Sequence, residues 1–268
     1  MTYRRGSRGD GVREIQRLLD ITADGIFGRG TEKAVKSFQE LFSLDVDGIV
    51  GPVTWEALQT SGSKTPPHPL PPVLVHIQSL GHKIMWDGDY HLNLFGIRHP
   101  NTKSNSFDDI MGCAYTVDGL WKVHYWPATC DPGTYHLENP SRVEGTAILA
   151  PGQYVDVYKI DLHAGKYEAL CQRNGPVVVF RDSDKTETRT LDEESQVEGY
   201  FGINLHRSSL RTDTVEEVED AAVNRWSAGC QVHARNDGFN EMMTLAKMQV
   251  EKLGKTTFTY TLLDQWWD

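Results

Sequence analysis

The motif that decides the fold of the first 62 residues is a repeat: Asp24-Gly25-Ile26-Phe27-Gly28-x-x-Thr31 returns as Asp47-Gly48-Ile49-Val50-Gly51-x-x-Thr54. Each Asp-Gly pair predicts a tight turn, because glycine adopts backbone angles that other residues avoid. Each threonine is predicted to be the N-cap of the helix that follows. Apolar residues recur at three- and four-residue steps around these turns, which predicts short helices packed on one small core. These residues are Val12, Ile15, Leu18, Leu19, Ala34, Val35, Phe38 and Leu41.

The wider pattern begins with G-D-G-V-R-E-I-Q-R-L-L at residues 9–19, continues through both turn motifs and ends in Thr54-Trp55. It resembles the peptidoglycan-binding domain found on many cell-wall hydrolases, and the resemblance covers essentially all of residues 1–62. The resemblance implies a small three-helix domain whose partner is bacterial peptidoglycan.

A proline-rich stretch, GSKTPPHPLPP at residues 62–72, separates this piece from the rest of the chain. Its prolines exclude a continuous helix and favour an extended spacer. We therefore expect a peptidoglycan-binding domain at 1–62, a linker at 63–72 and a larger domain at 73–268. Strand-like segments at 154–162, 177–180 and 256–263 predict that the larger domain is mostly β. A helix capped by Asn236 or Asp237 and ended by Gly254 is predicted near its C-terminus.

Composition and charge exclude several classes of protein. A chain of 268 residues with 39% hydrophobic and 24% charged residues is typical of a globular protein with a real core. Its 27 basic and 37 acidic residues give a net charge of −10, which argues against a nucleic-acid partner. Neither a membrane helix nor a signal peptide is found in the sequence. The expectation is synthesis in the cytoplasm with no membrane partner, while the oligomeric state is left open.

One cluster in the larger piece carries residues for nucleophilic chemistry. It consists of Gly202-Ile203-Asn204-Leu205-His206-Arg207-Ser208 and then Trp226-Ser227-Ala228-Gly229-Cys230-Gln231-Val232. A thiol attacks as the thiolate, and a neighbouring imidazole can take its proton. A Ser-x-Gly turn before the cysteine can direct main-chain N–H groups towards an oxyanion. The remaining cysteines lack such neighbours and are predicted to be core residues, namely Cys113, Cys130 and Cys171.

The histidine followed by Ser227-Ala228-Gly229-Cys230 resembles the L,D-transpeptidase catalytic domain, whose motif is a histidine and then S-H-G-C. A second element, Thr129-Cys130-Asp131-Pro132-Gly133-Thr134-Tyr135, looks like the T-P-x-G-x-[FY] stretch of that family. The likeness covers residues 110–235. Two positions depart from the pattern, because Ala228 replaces the usual histidine and Val232 stands where the family usually has arginine or asparagine.

This resemblance implies a role for each residue of the cluster. Cys230 would be the nucleophile and His206 the general base, with the backbone carbonyl of Arg207 orienting the imidazole. The turn at Ser227 and Gly229 would shape the oxyanion site. Substrate contacts are predicted for the polar and aromatic residues beside these, namely Trp226, Gln231 and Ser208.

The expected function is a peptidoglycan hydrolase of the phage endolysin type, which cleaves an amide bond of the stem peptide through a cysteine thioester. No cofactor or metal is expected. The missing export signal favours a hydrolase that waits in the cytoplasm and acts on the cell wall after release. Three alternatives remain: a cross-linking L,D-transpeptidase, a zinc amidase or peptidase with Cys230, His233 and His206 as ligands, and a non-catalytic wall-binding protein. Acidic residues between positions 213 and 220 are predicted to form a surface loop.

Overall fold

The computed structural model describes residues 2–19, 21–60, 66–67, 69–208, 222–225 and 227–267. The chain divides into two compact units, Met1–Leu70 and Pro71–Asp268. Part of the predicted linker, residues 63–65 and 68, lies outside the described residues, as does the predicted acidic loop. Pro72, the last residue of that linker, is the first residue of a helix. None of the helices in the described ranges combines the length and the apolar character needed to cross a membrane.

The first unit is helical, as the sequence predicts. Its described residues form α1 (Asp10–Leu18), α2 (Arg29–Leu41) and α3 (Pro52–Thr60). The apolar stripes of the helices and the residues after each turn meet in one core of fully buried side chains. This core contains Val12, Ile15, Leu19, Phe27, Val35, Phe38, Val50 and Leu58.

A buried glutamine on α1 holds the first turn motif. The Gln16 carboxamide nitrogen donates to Asp24 Oδ1 at 2.7 Å, to the Ile26 carbonyl at 3.0 Å and to Thr31 Oγ1 at 3.1 Å. Its oxygen accepts the Gly25 N–H at 2.8 Å. The nitrogen and the oxygen of this one side chain thus both have partners on the turn and the helix after it, which is the condition for burying an amide without a large penalty.

The second turn motif repeats this arrangement around Gln39 of α2. The Gln39 nitrogen donates to Asp47 Oδ1 at 2.8 Å and to the Ile49 carbonyl at 3.0 Å, and it reaches Thr54 Oγ1 at 3.3 Å. Its oxygen accepts the Gly48 N–H at 2.8 Å. The sequence repeat is therefore a repeat of one hydrogen-bonded unit, a helical glutamine clamped on the turn that follows.

The predicted capping role of the threonines is wrong. Helix α2 begins at Arg29 with Gly28 as its N-cap, and α3 begins at Pro52. Thr31 and Thr54 are each the third residue of their helix, where the hydroxyl faces the buried glutamine of the preceding helix. Their position is fixed by that long-range contact instead of by the helix end.

Replacing Gln39 with alanine should destabilise the first unit by about 2–4 kcal/mol, because each lost hydrogen bond contributes about 1 kcal/mol and the Gly48 N–H is left buried without its acceptor. Hydrogen exchange of the α1–α3 amides in the full chain measures the effect. Gln59→Ala on the exposed face of α3 is the matched control, with an expected change within about 0.5 kcal/mol. Equal exchange in the two variants would contradict the clamp.

The second unit is built on a closed barrel. Its strands are β1 (Asn93–Arg98), β2 (Asp109–Val117), β3 (Leu120–Thr129), β5 (Gly152–His163), β6 (Tyr167–Gln172), β9 (Leu205–Arg207), β10 (Gln231–His233) and β11 (Thr257–Asp264). They are hydrogen-bonded in the order β1-β11-β5-β6-β9-β10-β3-β2, closing back on β1. The β1–β11 and β9–β10 pairs are parallel, and the others are antiparallel.

A small sheet and several helices complete the second unit. The sheet contains β4 (Thr146–Leu149), β7 (Val177–Asp182) and β8 (Val197–Gly199) in the order β4-β7-β8. The helices among the described residues are α4 (Pro72–Ser79), α5 (Thr134–Glu138) and α6 (Asn236–Leu253), with a 3-10 turn at Glu193–Ser195. Apolar residues of α6 pack with the barrel core, including Phe239, Met242 and Ala246.

The prediction of a mostly β domain with a C-terminal helix is confirmed. The predicted strand segments 154–162 and 177–180 lie within β5 and β7, and the segment 256–263 lies in β11 from Thr257 onward. Gly254 ends α6 in the left-handed conformation, at φ 68°, as a glycine at this position should. The predicted cap is wrong: Arg235 is the N-cap without a side-chain hydrogen bond, and Asn236 and Asp237 are already helical.

Candidate active site

The two segments of the predicted site lie on neighbouring parallel strands. Val232 of β10 is opposite His206 of β9, and paired residues of a sheet point to the same face. Cys230 precedes Val232 by two positions and packs in the same small apolar cluster, so it shares that face. Strand spacing and rise place the Cα atoms of Cys230 and His206 about 8 Å apart. The structure therefore places the predicted nucleophile and the predicted base on one face of two neighbouring segments.

The His206 imidazole is buried and held in one tautomer. Its Nδ1 lies 2.9 Å from the Arg207 carbonyl oxygen. Because a carbonyl only accepts, Nδ1 carries the hydrogen and Nε2 keeps the basic lone pair. The ring stacks on His163 with centroids 4.1 Å apart. Burial, together with the neighbouring His163, lowers the pKa of His206 to about 4, so that the ring is a neutral proton acceptor at neutral pH.

The Cys230 sulfur lies between two main-chain groups. The Asn204 N–H donates to it at 3.4 Å, and the thiol donates to the Gly202 carbonyl at 3.4 Å. Desolvation raises the pKa of the Cys230 thiol to about 11, against the lowering effect of the Asn204 N–H. Within the described part of the chain no hydrogen bond joins this sulfur to His206. In the resting structure the thiol proton thus points to Gly202.

The carbonyl that accepts the thiol belongs to a loop held by a buried glutamine. The Gln172 side-chain oxygen accepts the N–H groups of Phe201, Gly202 and Ile203, at 3.0, 2.9 and 3.2 Å. Its nitrogen donates to the Gly199 carbonyl at 2.9 Å. Three converging donors on one oxygen fix the backbone of this loop, so the position of the Gly202 carbonyl is fixed with it.

Asn204 and His163 also belong to the site, and the sequence reasoning missed both. The Asn204 side-chain oxygen accepts the Gln172 N–H at 2.9 Å, and its nitrogen lies 3.1 Å from Nδ1 of His163. Because the amide nitrogen donates, this Nδ1 is the unprotonated nitrogen of His163. A sequence signal for Asn204 exists, since it precedes His206 by two positions and so lies on the same face of the strand.

The Ser-Ala-Gly-Cys segment forms a tight turn closed by its serine. Ser227 is fully buried, and its hydroxyl donates to the Cys230 carbonyl at 2.8 Å and accepts the Gly229 N–H at 3.1 Å. The Gly133 N–H donates to the Ser227 carbonyl at 2.9 Å. The two motifs that carry the L,D-transpeptidase resemblance are therefore in direct contact, although almost a hundred residues separate them along the chain.

Buried charges anchor the Thr129–Tyr135 element beside this turn. Asp131 is buried between two arginines, with Oδ1 at 3.0 Å from Arg98 Nε and Oδ2 paired with Arg189. Asp109 accepts the Cys130 N–H at 2.5 Å. Removing one partner of such a buried pair leaves an uncompensated charge, which is strongly destabilising. The sequence pattern gave no indication of this network.

Two of the three predicted substrate contacts lie in the interior. Gln231 is fully buried on the opposite face of β10 from Cys230, and its oxygen accepts the Tyr260 hydroxyl at 2.9 Å. Ser208 is buried as well, and its hydroxyl donates to the Ala234 carbonyl at 2.9 Å. Both side chains form hydrogen bonds inside the second unit and cannot touch a substrate in this structure. The third predicted contact, Trp226, lies outside the described residues.

The side chains named for a zinc site do not converge. His233 is fully buried on the other face of β10 from Cys230, with Nε2 3.2 Å from the Met242 sulfur. Among the described residues no three histidine, cysteine or acidic side chains are grouped so that they could hold a metal ion. The ligand set of the zinc alternative is thus divided between two faces of the sheet.

The rate of Cys230 alkylation by iodoacetamide should rise about tenfold per pH unit from pH 7 to pH 10. The reason is that the thiolate fraction grows by this factor until pH approaches the pKa of about 11. Peptide mapping by mass spectrometry measures the rate at Cys230, with the buried Cys113, Cys130 and Cys171 as internal references. A rate that is flat between pH 6 and pH 9 would instead indicate a preformed thiolate–imidazolium pair.

Solved structures similar to this chain include cell-wall proteins of several kinds. The Burkholderia AP3 phage endolysin is 40% identical over 25% of this chain and 28% of that chain, with a TM-score of 0.22. A fused Zn-dependent amidase/peptidase/peptidoglycan-binding protein from Clostridium acetobutylicum is 15% identical, covering 98% and 99%, with a TM-score of 0.25. An L,D-transpeptidase from Xylanimonas cellulosilytica is 18% identical, covering 98% and 97%, with a TM-score of 0.25. No curated protein matches the chain.

The first unit has a family match of its own. The resemblance that the sequence predicts for this piece is confirmed, because residues 8–58 match the family model described as a putative peptidoglycan binding domain.

Proposed function

We propose that the protein is a peptidoglycan hydrolase that binds the wall through residues 8–58 and cleaves a peptide amide bond with Cys230 as nucleophile and His206 as general base. The observation that carries the proposal is that Cys230, directly before β10, shares one face with His206 of β9, and that the Nδ1 hydrogen of His206 is bound to a carbonyl. That geometry leaves a free lone pair on the side chain best suited to take the thiol proton.

The first half of the reaction forms a thioester. The Cys230 thiol leaves the Gly202 carbonyl and turns towards His206, and Nε2 takes its proton as the sulfur attacks the amide carbonyl carbon. The carbonyl oxygen becomes an oxyanion; its collapse breaks the C–N bond, and the amine leaves with the proton from Nε2. Because the resting pair is neutral, with pKa values of about 11 and 4, proton transfer accompanies the attack instead of preceding it.

The second half consumes water. Nε2 of His206 removes a proton from a water molecule as its oxygen attacks the thioester carbon. The tetrahedral intermediate collapses with cleavage of the C–S bond, giving a carboxylic acid and a thiolate that regains the proton from Nε2. One water is used for each amide bond broken, and the enzyme returns to its starting protonation state.

Mass spectrometry of muropeptides from purified sacculi digested with the full-length protein tests the proposal. The expected products are stem-peptide fragments that have gained one water for each bond cut. Iodoacetamide-treated protein should form none of them, because Cys230 is then blocked. Protein treated with a chelator should be as active as untreated protein.

Each alternative function predicts a different outcome of the same measurement. Cross-linked products of higher mass would replace the hydrolase with a transpeptidase. Loss of activity with chelator, together with insensitivity to alkylation, would favour a zinc enzyme. Binding to sacculi without any new product would leave only wall binding.

A further inference from the structure

A small cleft adjoins the turn that carries Cys230. It has a volume of about 120 Å³ and lies between β4, the Tyr200–Phe201 segment and the Ser-Ala-Gly-Cys turn. Its lining includes Arg142, Gly145, Arg181, Phe201 and Ala228. This volume is far below the roughly 300–1,000 Å³ of sites for whole drug-sized ligands, so the cleft suits one short group.

The cleft is close to the sulfur along two chain segments. Ala228 precedes Cys230 by two residues, and consecutive Cα atoms are about 3.8 Å apart, so the Cα atoms of the two residues are separated by about 7.6 Å at most. Phe201, which also lines the cleft, directly precedes Gly202, whose carbonyl accepts the Cys230 thiol. A group bound in the cleft is therefore within one or two peptide residues of a carbonyl carbon that the sulfur attacks.

Positive charge is concentrated in this cleft. Arg142 and Arg181 line it, and neither forms an ion pair with any residue of the described ranges. Burial and the nearby charge of Arg142 lower the pKa of Arg181, against the raising effect of Glu144. The described lining residues carry no carboxylate. The two guanidinium groups repel each other, and the nearby Glu144 offsets part of this repulsion without forming an ion pair with either.

Local contacts hold Arg181 in position and leave donors available. One terminal nitrogen donates to the Gly145 carbonyl at 3.1 Å, and the guanidinium carbon lies 4.7 Å from the Phe201 ring centroid. Stacking of this kind fixes the plane of the guanidinium, and its other N–H groups remain available to bind a ligand. Arg142 is exposed at the rim, where it can close on a ligand.

We propose that this cleft is a carboxylate-binding subsite of the hydrolase, and that Arg142 and Arg181 hold a carboxylate of the substrate peptide beside the amide bond that Cys230 attacks. Guanidinium groups match carboxylate oxygens with paired, charge-assisted hydrogen bonds, and a carboxylate relieves the repulsion between the two arginines. The inference rests on the proposed function and adds its substrate class: peptides with a free carboxylate within one or two residues of the cleaved bond. The carboxylate can be the C-terminal group or that of an acidic side chain.

Three forms of one stem-peptide fragment test the subsite: the free acid, the same peptide with its C-terminal carboxylate amidated, and the same peptide with the nearest side-chain carboxylate amidated. With the unmodified protein, we expect kcat/KM to fall at least tenfold on one of the two amidated forms, which identifies the carboxylate. Arg142→Gln, an exposed change, should lower kcat/KM for the free acid to the value for that amide and leave the amide value unchanged. Lys247→Gln, which removes an exposed charge on α6, is the control and should retain the preference.

Equal kcat/KM for all three peptides, or an equal loss on acid and amide in Arg142→Gln, would overturn the subsite while leaving the hydrolase intact. If no peptide is cleaved, the proposed function fails, and the affinity of the protein for the three peptides then tests the subsite separately. Calorimetry on the Cys230→Ser protein should then show a Kd at least tenfold lower for the free acid than for one of the amides. The same Kd for all three would refute the subsite.

Discussion

Solubilisation of purified sacculi should fall by roughly three orders of magnitude or more when Cys230 is replaced with serine or His206 with alanine. Serine keeps the shape of the nucleophile but not the acidity of the thiol, and alanine removes the Nε2 lone pair that takes the proton. Because nucleophile and base act as one unit, the double variant should be about as inactive as either single variant. Turbidity of a sacculus suspension measures the loss.

Wall binding separates this effect from general damage. Both variants should still cosediment with sacculi, since residues 8–58 lie in the other unit. Cys113→Ala in the barrel core and His99→Ala on the surface are matched controls that should keep most of the activity. Lysis at the normal rate by the Cys230→Ser protein would remove the thiol mechanism.

Gly229→Ala should reduce sacculus lysis at least a hundredfold and destabilise the second unit by about 3 kcal/mol or more. A Cβ at this position would lie 2.0 Å from the Ala147 carbonyl oxygen, and the backbone has φ +117°. Strain of this kind costs about 1–3 kcal/mol by itself, and the clash adds to it because the pairing of Ala147 with Arg181 holds that carbonyl in β4. Denaturant unfolding of the full chain and the lysis assay measure the two effects.

A second glycine separates strain from clash. Gly119 has φ +73°, and a Cβ at this position would meet no atom within 4 Å. Gly119→Ala should therefore lower the stability of the second unit by only about 1–2 kcal/mol and leave lysis unchanged. If both substitutions had equal effects on stability and neither affected lysis, the packing of the turn on Ala147 would not matter for the site.

Local patterns were enough to predict the helical first unit and the mostly β second unit. The Asp-Gly turns, the apolar periodicity and Gly254 are signals carried by neighbouring residues, and the structure has the corresponding elements. The capping role given to Thr31 failed because its partner, Gln16, lies in another helix. The repeated spacing of Gln16 and Gln39 ahead of each turn was available as a signal for that contact.

The closure of the barrel could not be predicted from the sequence, for a related reason. The parallel pairing of β1 with β11 joins Asn93 to Thr259, and no local pattern specifies a partner so distant along the chain. At the site, motif order indicated Cys230 and His206, which the structure brings to one face. His163 was missed because it comes from a third strand, and its stacking on His206 depends on barrel curvature.

The desolvation of the Cys230 thiol has a consequence for the lifetime of the protein. Oxidants such as peroxide react with the thiolate, and with a pKa of about 11 only about one sulfur in ten thousand is ionised at pH 7. An ordinary free cysteine is ionised to a few per cent under the same conditions. Formation of sulfenic acid should therefore be slow, so that the protein keeps its potency through long aerobic storage without added reductant.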